Sequence, residues 1–282
     1  MNSYISRLVN IIALTLLITL PGRAITLGMD WQQVNANQFG GSVATNVTAL
    51  TVFNDYLYAR AGGGSGQVWK SKNAWVWTQS GTDGFGNANN NFSSGNAMAV
   101  FDGYIYVGTG NTTEGCEIWR SSDGTNWTKV VGGATTQLGN GFGEGTSNQL
   151  ATTMCVFSGY LYAGTENSAG AEIWRTSGAD SGEAWDKVVD AGFGTSGTYM
   201  RAIAVFNGQL YASTDAGDLW RTSDGTNWTV VITDGFGNAD NNIYSMAEFD
   251  GYLYAGTENT NTYCEIWRSA DGMNWEAVIT NG

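Results

Sequence analysis

The chain has 282 residues, with 25 Asp and Glu against 12 Lys and Arg and no His, for a net charge of −13. Such an acidic surface repels phosphate and anionic headgroups, which argues against nucleic acid and anionic membrane as partners. The absence of imidazole removes the commonest general base and the commonest zinc ligand, and 40 Gly with one Pro fit many turns and no helix bundle.

In chain order, the first element stands apart from the rest. Arg7 precedes an apolar run from Leu8 to Leu20, followed by Pro21, Gly22, Arg23 and Ala24. A basic start, a short apolar run and small residues read as a signal peptide over residues 1–24, cleaved after Ala24. The alternative, an uncleaved anchor, needs about 20 apolar residues, more than this run offers. Loss of Arg7 and Arg23 takes the net charge from −13 to −15. The expectation is a secreted protein, extracellular or periplasmic, with no membrane insertion after cleavage.

Residues 25–282 are expected to form one domain built from five copies of a single unit. The copies align on Phe53, Phe101, Phe157, Phe206 and Phe249, then on Tyr58, Tyr106, Tyr162, Tyr211 and Tyr254. A first Trp follows at Trp69, Trp119, Trp174, Trp220 and Trp267, with spacings of 50, 55, 46 and 47. A second follows at Trp77, Trp127, Trp185, Trp228 and Trp275. A period near 50 of short β-branched and aromatic strands is the pattern of a propeller blade. One such sheet cannot bury both faces alone, so neighbours must stack on it. In copy two the strands fall near Ala97–Phe101, Tyr104–Gly108, Cys116–Arg120 and Asn126–Val131, with Asp102-Gly103 as the tight turn between the first two.

The expected fold is therefore all-β, a β-propeller of five four-stranded antiparallel blades at about 44–82, 92–131, 150–189, 199–232 and 243–279. Before them, residues 29–34 (Met29 to Val34) read as a fourth strand without the first three, and Phe39 echoes the later linker residues Phe85, Phe142, Phe193 and Phe236. Two arrangements remain open: five blades with one strand duplicated at the seam, or an incomplete or truncated six-bladed ring. Five complete blades is the reading adopted.

The segments Ser121-Ser122-Asp123-Gly124-Thr125-Asn126-Trp127, Thr222 to Trp228 around Asp224, and Ser269 to Trp275 around Asp271 resemble the Asp-box repeat of sialidase-type propellers. These copies are one residue shorter between Asp and Trp; copy three is degenerate (Asp180 to Trp185) and copy one carries Asn73. The repeated part as a whole is similar to secreted bacterial propellers of Asp-box and kelch-like kind. The resemblance implies a structural turn on the hairpin between strands three and four, far from any active site.

Strand three carries an acid two residues before its Trp (Glu117, Glu172, Asp218, Glu265) and a base just after it (Arg120, Arg175, Arg221, Arg268). Three residues apart, they point to opposite faces. The expectation is a ladder between blades, Arg120 near Glu172 or Arg175 near Glu117; the alternative is Arg120 on its own turn at Asp123. The Trp rows, including Trp119, Trp127, Trp174, Trp220, Trp228, Trp267 and Trp275, are read as packing between blades. Cys116, Cys155 and Cys264 are read as free, buried thiols, since an odd count is no disulfide framework.

Tight connections fall at one end of each blade and long ones at the other, and function on a rigid scaffold concentrates in such loops. The candidate ligand-binding residues are Asn87, Asn89, Asn90, Glu166, Asn167, Asp215, Asp240, Asn241, Glu258 and Asn259, whose amides and carboxylates can bond sugar hydroxyls. Turn formation alone also explains them. Ca²⁺ is a weak further option; no cofactor, metal site or catalytic residue is assigned. The functional expectation is a non-catalytic binding module for an extracellular glycan or protein surface. A structural or protein-interaction propeller of a larger surface protein is the alternative. A sialidase-like glycoside hydrolase is disfavoured, because every prominent carboxylate is shared by the copies and none has a unique setting.

Overall fold

The computed structural model describes Phe39, residues 44–92 and residues 95–280. The signal segment, the strand at 29–34 and the side chain of Asp180 lie outside the described part. Among the described residues, twenty strands form five separate four-stranded antiparallel sheets, each in chain order from its innermost to its outermost strand. Blade 1 holds β1 (Asn46–Phe53), β2 (Tyr56–Gly62), β3 (Gln67–Ser71) and β4 (Thr78–Gln79). Blade 2 holds β5 (Met98–Phe101), β6 (Tyr104–Gly108), β7 (Ile118–Ser121) and β8 (Thr128–Val131). Blade 3 holds β9 (Asn148–Phe157), β10 (Tyr160–Asn167), β11 (Ile173–Thr176) and β12 (Asp186–Val189). Blade 4 holds β13 (Met200–Phe206), β14 (Gln209–Thr214), β15 (Leu219–Thr222) and β16 (Thr229–Ile232). Blade 5 holds β17 (Asn242–Phe249), β18 (Tyr252–Glu258), β19 (Ile266–Ser269) and β20 (Glu276–Ile279). The protein is a five-bladed β-propeller.

Local chemistry explains each blade. Positive φ at Asp102 (48°) and Gly103 (76°) makes the two-residue hairpin turn expected of Asp-Gly, and Asp250-Gly251 repeats it. In the outer hairpin, Asp123 Oδ1 accepts the main-chain N–H groups of Thr125 and Asn126, and Ser121 Oγ accepts that of Gly124. Asp224 and Asp271 repeat the arrangement, and Asn73 reproduces it in blade 1 through the N–H groups of Trp75 and Val76.

The linkers lock consecutive blades. Each linker Phe stacks on the first Trp of the blade that follows and meets the second: Phe142 lies 4.9 Å from Trp174 and 5.4 Å from Trp185, and Phe39, Phe85, Phe193 and Phe236 do the same. All five have positive φ, a costly conformation for a bulky residue that the aromatic contact offsets.

Four apolar clusters bury the facing sides of consecutive blades. None among the described residues joins blade 5 to blade 1. Blade 5 accordingly leaves Phe249 (71% exposed), Ile266 and Ile279 uncovered, although Phe53, Phe157 and Phe206 are buried at the position of Phe249. Blade 1 likewise exposes Leu50, the counterpart of buried Met98 and Met154.

Two expectations are corrected. The ladder between blades is absent among the described ion pairs. Glu117 pairs with Lys129 and Glu172 with Lys187, both on the fourth strand of the same blade, at 2.6 Å. The register sets Trp119 opposite Lys129, so the acid two residues before Trp119 shares a face with that lysine. On the other face, Arg120 lies 4.0 Å over the Tyr104 ring and donates to Tyr106 Oη, leaving Asp123 to its own turn; Arg175 covers Tyr160 in the same way. Arg268 reaches Glu276 on the neighbouring strand. The second correction concerns the thiols. All three are unpaired, but only Cys116 is buried; Cys155 is half-buried and Cys264 is exposed, and among the described residues no blade covers that side of blade 5.

Candidate functional site

The structure scatters the ten candidate residues, and most hold the scaffold together. Asn90 is buried; its Nδ2 donates to Glu117 Oε2 at 2.6 Å and to Gly84 O, and its Oδ1 accepts from Asn111. Glu117 Oε2 also accepts the Trp119 indole N–H. Blade 3 builds the same latch from Asn148, Asn167, Glu172 and Trp174, and blade 5 from Asn241, Asn259, Glu265 and Trp267. Buried amides satisfied in this way fix the linker against the blade. Asn87 bonds Glu114, and its Oδ1 accepts the Asn89 N–H. Asp240 and Glu258 are exposed, Glu258 beside the open side of blade 5.

Blade 4 breaks the latch. Asp218 replaces the longer glutamate, and both its Oδ2 and the Trp220 indole nitrogen are buried without a hydrogen-bond partner. Burial raises the Asp218 pKa. Ala216 stands where blades 2, 3 and 5 have Asn111, Asn167 and Asn259. The neighbouring Asp215 instead accepts the main-chain N–H groups of Thr198 and Tyr199 at 2.7 and 2.9 Å and the Thr198 hydroxyl at 3.0 Å. The entry to β13 is thus held by a carboxylate rather than by an amide relay.

That entry borders a cavity of about 420 Å³ on the propeller axis. All five blades line it, at the end where the long linkers arrive. The residues that reach it are positioned by bulges. Val47 and Ala49 pair with β2 while Thr48 is passed over; Arg201 is passed over between Met200 and Ala202, and Tyr244 between Ile243 and Ser245, whereas Thr152, passed over between Ala151 and Thr153, is buried and donates to Met200 O, leaving Thr153 on the cavity wall. A bulge re-aims a side chain and is frequent beside binding sites. Thr48, Asn96, Thr152, Arg201 and Tyr244 all stand five residues before the repeat Phe, and no two neighbouring copies agree in type. Sequence reasoning missed this row by following the columns that all copies share; divergence at a fixed offset was the available signal.

Arg201 is the centre of the wall. Its guanidinium carbon lies 4.4 Å from the Tyr199 ring and 5.1 Å from the Tyr244 ring, a cation–π arrangement. Its Nε is buried without a hydrogen-bond partner, and no carboxylate lies within ion-pair distance of it among the described residues. Behind the wall, Arg60 replaces the Gly108, Gly164 and Gly256 of other blades. It is fully buried, donates to Gly108 O, Thr48 Oγ1 and Gly95 O, and lies over Phe92. Burial lowers its pKa to about 9, so it stays charged at neutral pH. Of the ten sequence candidates, Glu166 and Asp215 lie nearest this mouth, Glu166 bridging to Tyr199. Burial, then Asp215, raises the Glu166 pKa, and Arg201 opposes them.

Among proteins of known family, a model described as the DUF6242 beta propeller domain matches residues 139–238. No curated protein matches the chain. Among solved structures, the chain is similar to YCF48 bound to a D1 peptide at 14% identity and a TM-score of 0.52, over 82% of this chain and 66% of that one. It is also similar to YCF48 from Cyanidioschyzon merolae, at 10% identity and a TM-score of 0.51 over 88% and 87% of the two chains. A chain of a nidogen/laminin complex follows at 12% identity and a TM-score of 0.52, over 84% and 80%. The chain thus spans just under two thirds of the first of these structures. At such identities the likeness is one of fold alone.

Proposed function

We propose that this protein is an exported, non-catalytic binding propeller that recognises glycans at the axial mouth of its long-loop face. One observation carries the reading: the side chains that break the repeat gather there, re-aimed by bulges, while the shared residues form the scaffold. Amide and hydroxyl groups of Asn46, Asn96, Thr153 and Ser245 beside tyrosine rings suit sugar hydroxyls and sugar faces. The paired carboxyls do not favour hydrolysis. Both oxygens of Asp215 accept hydrogen bonds from Thr198 and Tyr199, so it orients the wall and is not free to attack. In this reading the outer hairpins are shortened Asp-box turns whose part is structural, and the latch residues Asn90, Asn167 and Asn241 bind no ligand.

A glycan array, followed by a reducing-end assay on each bound glycan, tests this. The expected result is binding without turnover, lost in Tyr244→Ala and retained in Asp240→Ala. Turnover, or binding indifferent to Tyr244, overturns it. A second reading, a protein-interaction propeller within a larger surface assembly, draws support from the uncovered apolar side of blade 5. The peptide named with YCF48 belongs to that protein; here it is a reason to include peptides in the screen.

A further inference from the structure

We infer that the glycan site does not end at the axial mouth: a second cleft continues it over the open side of blade 5, and the two together take an extended run of a linear, neutral glycan. The inference rests on the glycan reading above and deepens it. The cleft encloses about 570 Å³, and Tyr244, Ser245, Glu258, Tyr263, Glu265 and Ile266 line it. Tyr244 and Ser245 also line the mouth, so the two spaces share a wall. Three departures from the repeat meet there. The first is Tyr244, placed by its bulge and exposed. The second is Tyr263, also exposed, whose counterparts in blades 2 and 3 are Gly115 and Gly170. Those glycines have φ of 102° and 127°. A Cβ on them would sit 2.2 Å from Gly145 O and 2.3 Å from the Ala191 carbonyl carbon, in the linker that leaves each blade. A tyrosine leaves no room for a linker on that course, so the departure commits this side of blade 5 to stay open.

The third departure is Ala277. It stands opposite Trp267, where Lys129 stands opposite Trp119 and Lys187 opposite Trp174. Those lysines hold Oε1 of Glu117 and of Glu172. Glu265 keeps its Oε2 in the latch, on the Asn241 amide and the Trp267 indole N–H, but meets no lysine. Its Oε1 is therefore an acceptor for a sugar hydroxyl. Charge selects against acidic sugars. Among the described residues lining the cleft none is Lys or Arg, whereas Glu258 and Glu265 are there and Glu166 and Asp215 stand beside the mouth. Such a lining repels carboxylates and accepts from neutral hydroxyls. The tyrosine rings add flat apolar surface with a polar tip, suited to the C–H face of a sugar ring. An extended peptide would instead seek a free strand edge. The cleft offers none, because its lining runs from β17 across β18 to β19 and so covers the face of the sheet.

The test is calorimetric titration of the full chain with cellohexaose, xylohexaose and mannohexaose, each beside its disaccharide. At least one hexasaccharide should bind about tenfold more tightly than its disaccharide, the worth of one further stacked ring. Tyr263→Ala should remove that advantage and leave the disaccharide bound at the mouth. Ala277→Lys, which returns to Glu265 the lysine of blades 2 and 3, should weaken the hexasaccharide severalfold. Both positions are exposed, and melting temperature is the folding control. Equal affinity for long and short forms, or a length preference indifferent to Tyr263, overturns the inference and leaves the glycan reading standing. So does binding of an acidic glycan in place of all three neutral ones. A glycan array silent for every sugar, or binding of a peptide alone, overturns both. The wild-type comparison of chain lengths stands even if a variant does not fold.

Discussion

The side of blade 2 that faces blade 3 and the outer side of blade 5 are built from the same residues and end in different states. At the first, Cys116 and Ile118 are fully buried and Phe142 fills the linker pocket. At the second, Cys264 and Ile266 occupy the same repeat positions and are exposed. A propeller blade therefore has no core of its own. Its apolar residues become core only when the next blade arrives, as expected of a repeat whose stability is a sum of neighbour contacts.

The largest expected effect comes from the turn glycines that touch the preceding blade. A Cβ on Gly124, at φ +64°, would sit 1.7 Å from Tyr58 Oη, and Gly225 and Gly272 face Tyr162 and Tyr211 at 1.8 and 1.9 Å. Blade 1 has no preceding blade among the described residues, and there the equivalent residue is Ala74, at φ 62°. Gly124→Ala combines left-handed strain with overpacking and should cost about 2–5 kcal/mol. Ala74→Gly should change stability by less than about 1 kcal/mol. Chemical denaturation of both variants checks the contrast; a Gly124→Ala chain as stable as the parent would mean that the blade 1–blade 2 interface is not packed as described.

A smaller effect separates Phe206 from Phe249. The first is 1% exposed between blades 4 and 5, the second 71% exposed at the same repeat position. Phe206→Ala should cost about 3–5 kcal/mol, the range for an aromatic removed from a core. Phe249→Ala should stay within about 0.5 kcal/mol, as at an ordinary surface site. Thermal melts of the pair read the difference. A large loss at Phe249 would mean that something covers blade 5 in solution.

Much of this architecture was legible in the sequence because it is periodic. Asp102-Gly103 gave the inner hairpin, and the Ser-Asp-Gly spacing gave the outer turn; even Asn73, which loses the acid, keeps the turn because an amide oxygen accepts the same two N–H groups. The acid of strand three was harder to read. Four arginines stand just after the Trp, whereas the lysine that pairs with the acid occurs as Lys129 and Lys187 alone, so periodicity pointed to the wrong cation. The latch asparagines Asn90, Asn167, Asn241 and Asn259 looked like a ligand surface because amide content cannot tell a buried relay from an exposed one. Arg201 was passed over because a bulge aims it at the axis, and a bulge depends on how two strands pair. The exposure of Cys264 depends on a neighbour, which no repeat unit encodes in itself.

The smallest effect expected is in the acid dependence of the same turns. The Asn126 main-chain and side-chain N–H groups, with that of Thr125, hold the Asp123 carboxyl well below the usual carboxylate range. Asn227, chiefly through its side chain, and Asn274 do the same for Asp224 and Asp271. A carboxyl whose folded pKa is depressed contributes stability that is present above its unfolded value, near 3.9, and is lost as pH falls through the folded value. Blade 1 turns on Asn73, which does not titrate, so its turn is indifferent to acid. Asp123→Asn should therefore make the blade 2 turn behave like that of blade 1, with a slight loss at neutral pH and a shallower fall in melting temperature below about pH 4. Melting temperatures between pH 6 and 2 measure both limbs. An unchanged acid slope would mean that the hydrogen bonds to Asp123 do not favour its charged form, and that blades 1 and 2 differ at this turn in packing against the preceding blade alone.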